Sequence, residues 1–360
     1  MSDPGLDLEV CGRPVALGEW LASSGPESDI VMSTRIRLAR NVVEFPFPNR
    51  IEGDRQGDLE QFLRDGIASA PFAADQSPSY FDLDQAPDLD RQCLVERHLI
   101  SKDHAAARGR RGVAIEPQAT LSIMVNEEDH LRLQVLRSGF LLDEAWSQIE
   151  AADRALEEKL NYAFSPDLGY LTSCPTNVGT GLRISVMLHL PALVMTKRIE
   201  KVFHAGSNVN LAVRGFYGEG TEALGDFYQI SNQVTLGQSE LGILQSMAEQ
   251  VPLIIRYERN MREKLISENR LGLEDRVWRA LGLLERARLT TSQEAMGYLS
   301  IVRMGIHLGF LDSIPISLVN ELFVSTQPGH LQKRAGSPLE TPARDEMRAS
   351  YIRERLREVL

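Results

Sequence analysis

Alternating apolar and polar positions mark the strands of this chain. Thr120 to Asn126 and Leu131 to Leu136 carry the two-residue period of a half-buried strand. Cys93 to Ile100, Leu182 to Leu190, 209–214 and 227–235 are further candidates. Helical spacing takes over at 143–162, where Ala145, Ile149, Ala152, Leu156 and Leu160 fall on one face. Residues 56–70 fit a helix, followed by a loop rich in Asp, Ser and Pro at 71–90. Pro191 opens a helix expected to run to about Phe203. The mixture of strands and helices joined by short turns predicts an α+β fold with a largely antiparallel sheet flanked by helices.

Beyond Gly237 the strand signal stops. Glu240 to Ser267, Leu273 to Arg288, Ser292 to Gly305 and Pro315 to Val324 read as helices. A linker rich in Gly, Pro and Ser is expected at 326–341. A last helix is expected to start at Thr341-Pro342, with Thr as N-cap and Pro at the first position. The organisation predicted is a lead-in at 1–30, a first domain at 31–245 and an all-α C-terminal domain at 246–360.

The formal net charge of −11 disfavours nonspecific nucleic-acid binding but leaves room for a local basic pocket. No apolar run reaches the roughly 20 residues of a membrane helix, and the acidic N-terminus does not resemble a signal peptide, so a cytoplasmic protein is expected. The three cysteines, Cys11, Cys93 and Cys174, are widely spaced and suggest neither a zinc site nor a redox pair.

Four polar segments carry candidate chemistry. In Ser33-Thr34-Arg35-Ile36-Arg37, an extended chain points Arg35 and Arg37 to one face, where planar forks suit phosphate oxygens; a solvated basic strand is the plain alternative. Asn126-Glu127-Glu128-Asp129-His130-Leu131-Arg132 is either an exposed turn or a carboxylate for a cationic substrate beside an arginine for phosphate. Cys174-Pro175-Thr176-Asn177-Val178-Gly179-Thr180-Gly181-Leu182-Arg183 allows close backbone approach to a ligand next to a thiol, or is a tight turn over a buried one. It has neither Walker nor dinucleotide-fold spacing. Arg214-Gly215-Phe216-Tyr217-Gly218-Glu219 reads as a ligand-closing loop or an ordinary glycine-rich one.

Together and in this order, the four segments resemble the phosphagen (guanidino) kinase family. With the first arginine motif already at Thr34, no domain of about a hundred residues precedes it, and a domain-sized region follows instead. That arrangement, with the stretches 181–191 and 228–237, is similar to the bacterial protein-arginine kinases of McsB type. The resemblance implies transfer of the ATP γ-phosphoryl group to arginine side chains of proteins. It assigns ATP binding to Ser33, Thr34, Arg35, Ile36, Arg37, His98, Arg132, Arg183, Ile184, Ser185, Val186, Met187, Arg214, Gly215, Phe216, Tyr217, Gly218 and Glu219. It makes Glu128 and Glu219 the paired substrate carboxylates and Cys174 an assisting thiol. Mg²⁺ is expected on the nucleotide phosphates, with no dedicated protein metal site.

In the last helix Arg344, Asp345 and Arg348 share a face. They are either a surface salt bridge or, by the same resemblance, an allosteric phosphoarginine pocket. Implied partners are protein substrates with exposed arginine, a zinc-binding activator, a Clp ATPase, a heat-shock repressor and a second copy of the chain; membrane and nucleic acid are not among them. The alternatives weighed are a free-arginine kinase and a non-catalytic phosphoarginine-binding adaptor.

Overall fold

The computed structural model describes residues 8–51, 54–73, 77–202, 211–215 and 223–360. A short hairpin, β1 (Leu8–Val10) and β2 (Arg13–Val15), leads in. The main sheet is built from β3 (Val31–Arg40), β4 (Ser79–Asp82), β5 (Gly112–Ile115), β6 (Leu121–Val125) and β7 (Leu131–Ser138). A small hairpin, β8 (Phe164–Ser165) with β9 (Gly169–Tyr170), intervenes before β10 (Leu182–His189), β11 (Leu211–Gly215) and β12 (Phe227–Asn232) complete the sheet. Its order is β11-β12-β10-β3-β7-β6-β5-β4, and every pairing is antiparallel. The expected α+β architecture is present.

Alternation assigns the two faces of this sheet. Ile36 and Leu38 of β3, Leu133 and Val135 of β7, and Ile184 and Val186 of β10 point to one side. There they meet Leu59 and Leu63 of α1 (Arg55–Ser69) and Ile149 and Leu156 of α4 (Leu142–Glu157). All ten are at most 1% exposed, and burying one such side chain contributes about 1.5–3 kcal/mol. The opposite side of β3 carries Ser33, Arg35 and Arg37.

Several local expectations are corrected. Cys93–Ile100 is not a strand. Asp88–Glu96 forms helix α2, entered from Pro87, with Asp88 and Asp90 in its first turn favoured by the helix dipole. The apolar run Cys-Leu-Val is too short to settle a period by itself. The loop expected at 71–90 includes edge strand β4, and between α2 and β5 the chain forms α3 (Lys102–Ala106). The helix opened by Pro191, α5, stops at Met195, and Phe203 lies outside the described residues.

The two helices expected at 240–267 and 273–288 form one element, α6 (Glu240–Arg286), broken at Asn269 with φ −159° and ψ 72°. Before the break, Met247, Val251 and Ile255 join the core behind the sheet. After it, Val277, Leu281 and Leu284 pack with α7 (Ser292–His307), α8 (Ile316–Ser325) and α10 (Thr341–Arg357). The expected linker at 326–341 contains helix α9 (Pro328–Ala335), closed by Gly336 in the left-handed conformation. Helix α10 includes Thr341 and takes Glu340 as its N-cap, one residue earlier than the sequence suggested. No helix among the described residues is long and apolar enough to cross a membrane.

Candidate active site

The register of the sheet brings the arginines of three separate sequence segments, and one from a fourth, to one face. Arg37 stands opposite Arg183 on one neighbour and Gln134 on the other; Arg35 stands opposite Ser185 and Leu136. Arg132 faces Ala39, and Arg214 faces Gln229, which is itself opposite Met187. Cross-strand partners project to the same side of a sheet. Arg35, Arg37, Arg132, Arg183 and Arg214 therefore share the face away from the core.

The charges on this face are poorly compensated. Arg35 Nη2 donates to Gln229 Oε1 at 2.6 Å and Arg183 Nη2 to Ser231 Oγ at 3.2 Å, both neutral acceptors. Nε of Arg37 and Nε of Arg183 are buried without a hydrogen-bond partner. Burial, then Arg132 and Arg183, push Arg35 down to about 10. Burial and the neighbouring Arg35, Arg132 and Arg183 hold Arg37 well below the usual guanidinium range. Arg183 is lowered by burial, Arg214 and Arg132. Clustered cations of this kind create a strong local field for a polyanion inside an acidic protein.

Among the described residues, one carboxylate enters the cluster. Arg132 Nη1 donates to both oxygens of Glu127 at 2.6 and 2.7 Å, while Ser101 Oγ and the Glu128 N–H also donate to Glu127. Burial alone pushes Glu127 up, but Arg132 and these donors outweigh it and hold it below the ordinary carboxylate value. Its neighbour Glu128 is exposed on the turn.

Ser33, Ser185, Met187 and His98 line a small cavity with Arg35 and Gln229. Burial, Arg35 and Lys102 lower His98 to about 3, so it is neutral near pH 7. Thr34, Ile36, Ile184 and Val186, expected at the nucleotide, point instead into the interior: Thr34 Oγ1 donates to the Gly139 carbonyl at 2.7 Å, and the other three are 0% exposed. A two-residue period cannot put consecutive side chains on one face, so these four build the support beneath the arginines. Gly215 ends β11. Phe216, Tyr217, Gly218 and Glu219 lie outside the described residues.

The turn bearing Glu128 and the loop bearing Cys174 are tied together by two buried residues that the sequence reading missed. Asp129 Oδ1 accepts from Asn41 Nδ2 and from the Ser173 N–H, both at 2.6 Å. Asn41 also donates to the Leu171 carbonyl at 3.1 Å and accepts from the His130 N–H at 2.9 Å. The Cys174 thiol, half-buried, lies 3.0 Å from Thr176 Oγ1. Asn41→Ala strands at least three buried partners. It is expected to cost about 2–3 kcal/mol in urea unfolding and to raise the alkylation rate of Cys174.

The glycines of this loop are required by space. Gly181 sits at φ +64°, where a Cβ would lie 2.6 Å from the Ala39 carbonyl oxygen and 2.7 Å from Arg40 Nη1. Arg40, on the core face, pairs with Asp153 at 2.7 Å and donates to the Thr180 carbonyl at 3.0 Å, anchoring the loop from below. Gly181→Ala should destabilise by about 2 kcal/mol or more, read from the denaturation midpoint.

The C-terminal trio also comes together. Arg348 Nη1 donates to Asp345 Oδ1 at 2.6 Å and to the Thr290 carbonyl at 2.8 Å, and Nε donates to the Thr326 carbonyl at 2.9 Å. Arg344 is half-buried and near enough, with burial, to depress Arg348, which Asp345 counteracts.

Gln229, Ser231 and Glu127 were also missed as site residues. The signal was available for the first two: they sit two apart in a strand, on the same face as Arg214 by register. Glu127 was indistinguishable from Glu128 by composition; only the salt bridge separates their roles.

Comparison with known proteins agrees with this geometry. Residues 60–261 match the family model of the ATP:guanido phosphotransferase C-terminal catalytic domain, and residues 270–360 match the protein-arginine kinase McsB C-terminal domain. A protein-arginine kinase of Brevibacillus brevis is 48% identical over 94% of this chain and 95% of its own length. Another, from Symbiobacterium thermophilum, is 48% identical over 95% and 97% respectively. Among solved structures, the duplicated taurocyamine kinase of Schistosoma mansoni with bound transition-state-analogue components superposes with a TM-score of 0.60 at 27% identity, covering 72% of this chain and 37% of that one.

Proposed function

Because the chain belongs to the ATP:guanido phosphotransferase family, and within it to the protein-arginine kinases, we propose that it moves the γ-phosphoryl group of ATP onto arginine side chains of proteins, using the arginine face for the nucleotide. The observation that carries this reading is electrostatic. Burial and neighbouring arginines together depress Arg35, Arg37 and Arg183 on one sheet face, and the carboxylate described among them, Glu127, is already engaged by Arg132. A bound triphosphate supplies the missing negative charge.

Arg35, Arg37, Arg132, Arg183 and Arg214 hold the phosphates and stabilise charge on the transferring group, which needs positioning more than covalent help. Ser33, Ser185, Met187 and His98 border the nucleotide beside Arg35. The acceptor guanidinium has a pKa above ~12 and is a poor nucleophile as a cation. Glu128 on its exposed turn, with Glu219 as the second carboxylate, clamps it, aligns one nitrogen for in-line attack and accepts a proton as transfer proceeds. Cys174, on the loop fastened to the Glu128 turn, assists in orienting the guanidinium. Among the described residues the donor set, an engaged Glu127 and an exposed Glu128, fits Mg²⁺ carried in on the phosphates, where it would neutralise phosphate charge, rather than one caged by protein carboxylates.

We place this chemistry in residues 31–245, behind the lead-in of 1–30. A helical region from 246 carries Arg344, Asp345 and Arg348 as a phosphoarginine pocket of two cations and an anion. A cytoplasmic homodimer that marks proteins for a Clp protease, silences a heat-shock repressor and answers to a zinc-binding activator is the setting the family suggests. The test is incubation with Mg-ATP and either casein or free arginine. Acid-labile phosphate on casein arginines, located by mass spectrometry, is the expected product; phosphorylation of free arginine alone rejects the protein-substrate reading.

A further inference from the structure

Helix α2 ends in a conformation that needs external support. After Glu96 and Arg97, His98 takes φ 62°, the left-handed position that helix C-termini usually give to glycine. A non-glycine residue there is strained and persists where its surroundings hold it. The His98 carbonyl accepts from Gln134 Nε2 at 2.6 Å, and its ring meets Trp20 edge-on at 5.2 Å between centroids. This is the residue that lines the small cavity with Arg35.

The C-terminal region reaches the same turn. Glu96 Oε1 accepts from the Gly329 N–H at 2.7 Å. Its Oε2 accepts from the His330 N–H at 3.0 Å and from His330 Nδ1 at 2.7 Å. The carboxylate thus caps the start of α9, the end where a helix favours negative charge. A Cβ on Gly329 would come within 2.8 and 2.9 Å of these oxygens, so the two elements are in direct contact.

From the other side, Arg97 Nε donates to His330 Nε2 at 3.1 Å, and Arg97 Nη1 donates to the Val15 and Ala16 carbonyls. Since Nε2 accepts, the hydrogen-bond network assigns the His330 proton to Nδ1. Cys93, Glu96 and His330 also bring metal-ligating atoms within 4.8 Å of one another. Both His330 nitrogens are engaged, however, and the Arg97 guanidinium occupies the side a cation would need.

We propose that Glu96, Arg97 and His330 form a joint that positions His98 in the nucleotide pocket, so that the C-terminal region sets ATP affinity without touching ATP. This rests on the reading of His98 as a nucleotide-site residue. The three are positioning residues, acting through the backbone reversal they hold.

The test is a double-mutant cycle in the full-length enzyme, with Mg-ATP and casein. His330→Phe keeps the ring volume and removes both side-chain hydrogen bonds. It is expected to raise KM for ATP about tenfold while kcat and KM for casein stay within about twofold. His98→Ala is expected to raise KM for ATP by a similar factor, and the double variant to be no worse than either single one. A purely structural role for His330 would instead lower kcat or multiply with His98→Ala to about a hundredfold, and either result overturns the proposal. So does a normal KM in His330→Phe when His98→Ala is impaired. If His98→Ala itself binds ATP normally, the nucleotide reading of His98 falls and the joint falls with it. Glu96→Gln, which keeps the shape but turns one of the two accepting oxygens into a donor, is expected to shift KM for ATP in the same direction by a smaller factor. It decides the question if His330→Phe does not fold by circular dichroism, and an unchanged KM then overturns the proposal.

Discussion

Replacing Glu128 by Gln is expected to slow phosphoryl transfer to casein by roughly 10³-fold, within the range for loss of a general base, while Mg-ATP binds nearly as before. The two neighbouring acids of the turn have been given different work. Glu127 is consumed by Arg132, Ser101 and the Glu128 N–H, and it sits with the arginine cluster. Glu128 is exposed, on a turn whose base is locked by Asp129 and Asn41 to the Cys174 loop. Gln preserves the shape of the side chain but neither clamps a cation by charge nor takes its proton. The companion change Glu127→Gln should behave differently, loosening Arg132 and raising KM for ATP. Isothermal titration with Mg-ATP and release of acid-labile phosphate separate the two; an unimpaired rate in Glu128→Gln rejects its assignment.

Replacing Arg37 by Met is expected to separate stability from function. Arg37 stands in the middle of the cation cluster, opposite Arg183 and beside Arg35, with its Nε buried and unpartnered. In the nucleotide-free protein it is repelled by its neighbours and partly desolvated, so a flexible apolar side chain of comparable length should stabilise by about 1 kcal/mol. With nucleotide bound the sign reverses. In the proposed reading the guanidinium meets phosphate oxygens, and removing an arginine that stabilises a transferring phosphoryl group typically costs about 10³-fold or more in turnover. The measurement is thermal unfolding with and without Mg-ADP beside the transfer assay. The expected result is a raised melting temperature without nucleotide, a reduced shift on adding it, and turnover lowered by about 10³-fold. A variant that melts lower without nucleotide and still gains full stabilisation from it would show that Arg37 is a structural cation.

The elements that sequence reading identified correctly were those with a long, unambiguous period. β6, β7 and β10 alternate, and α4 repeats Ala145, Ile149, Ala152 and Leu156 on one face that the structure buries. It failed where apolar runs were short or turn-forming residues dense. Cys93-Leu94-Val95 reads as strand locally, yet Pro87 and two early aspartates start a helix whose Leu94 is fully buried. Residues 328–335 look like linker because Pro and Gly surround them, yet Pro at a first helical position and Gly in a left-handed cap are the ordinary ends of a short helix.

The candidate site divides in the same way. The period of two, read along β3, already put Arg35 and Arg37 on one side and should have sent Thr34 and Ile36 to the other. The four motifs in their order were enough to point to a guanidino kinase, because each needs particular side chains that local chain geometry presents. Asn41, Asp129 and the Glu96–His330 contact left no such trace. Their partners are 88, 44 and 234 residues away in the chain, and a hydrogen bond depends on positions within a few tenths of an ångström. The sequence by itself determined which side chains alternate, which charges cluster and hence which chemistry the chain carries, since those follow from neighbours along the backbone. Only the tertiary structure decided which acid of the pair is free, which arginines face one another and how the C-terminal helices meet the turn at His98, because these depend on the sheet register and on packing between distant segments.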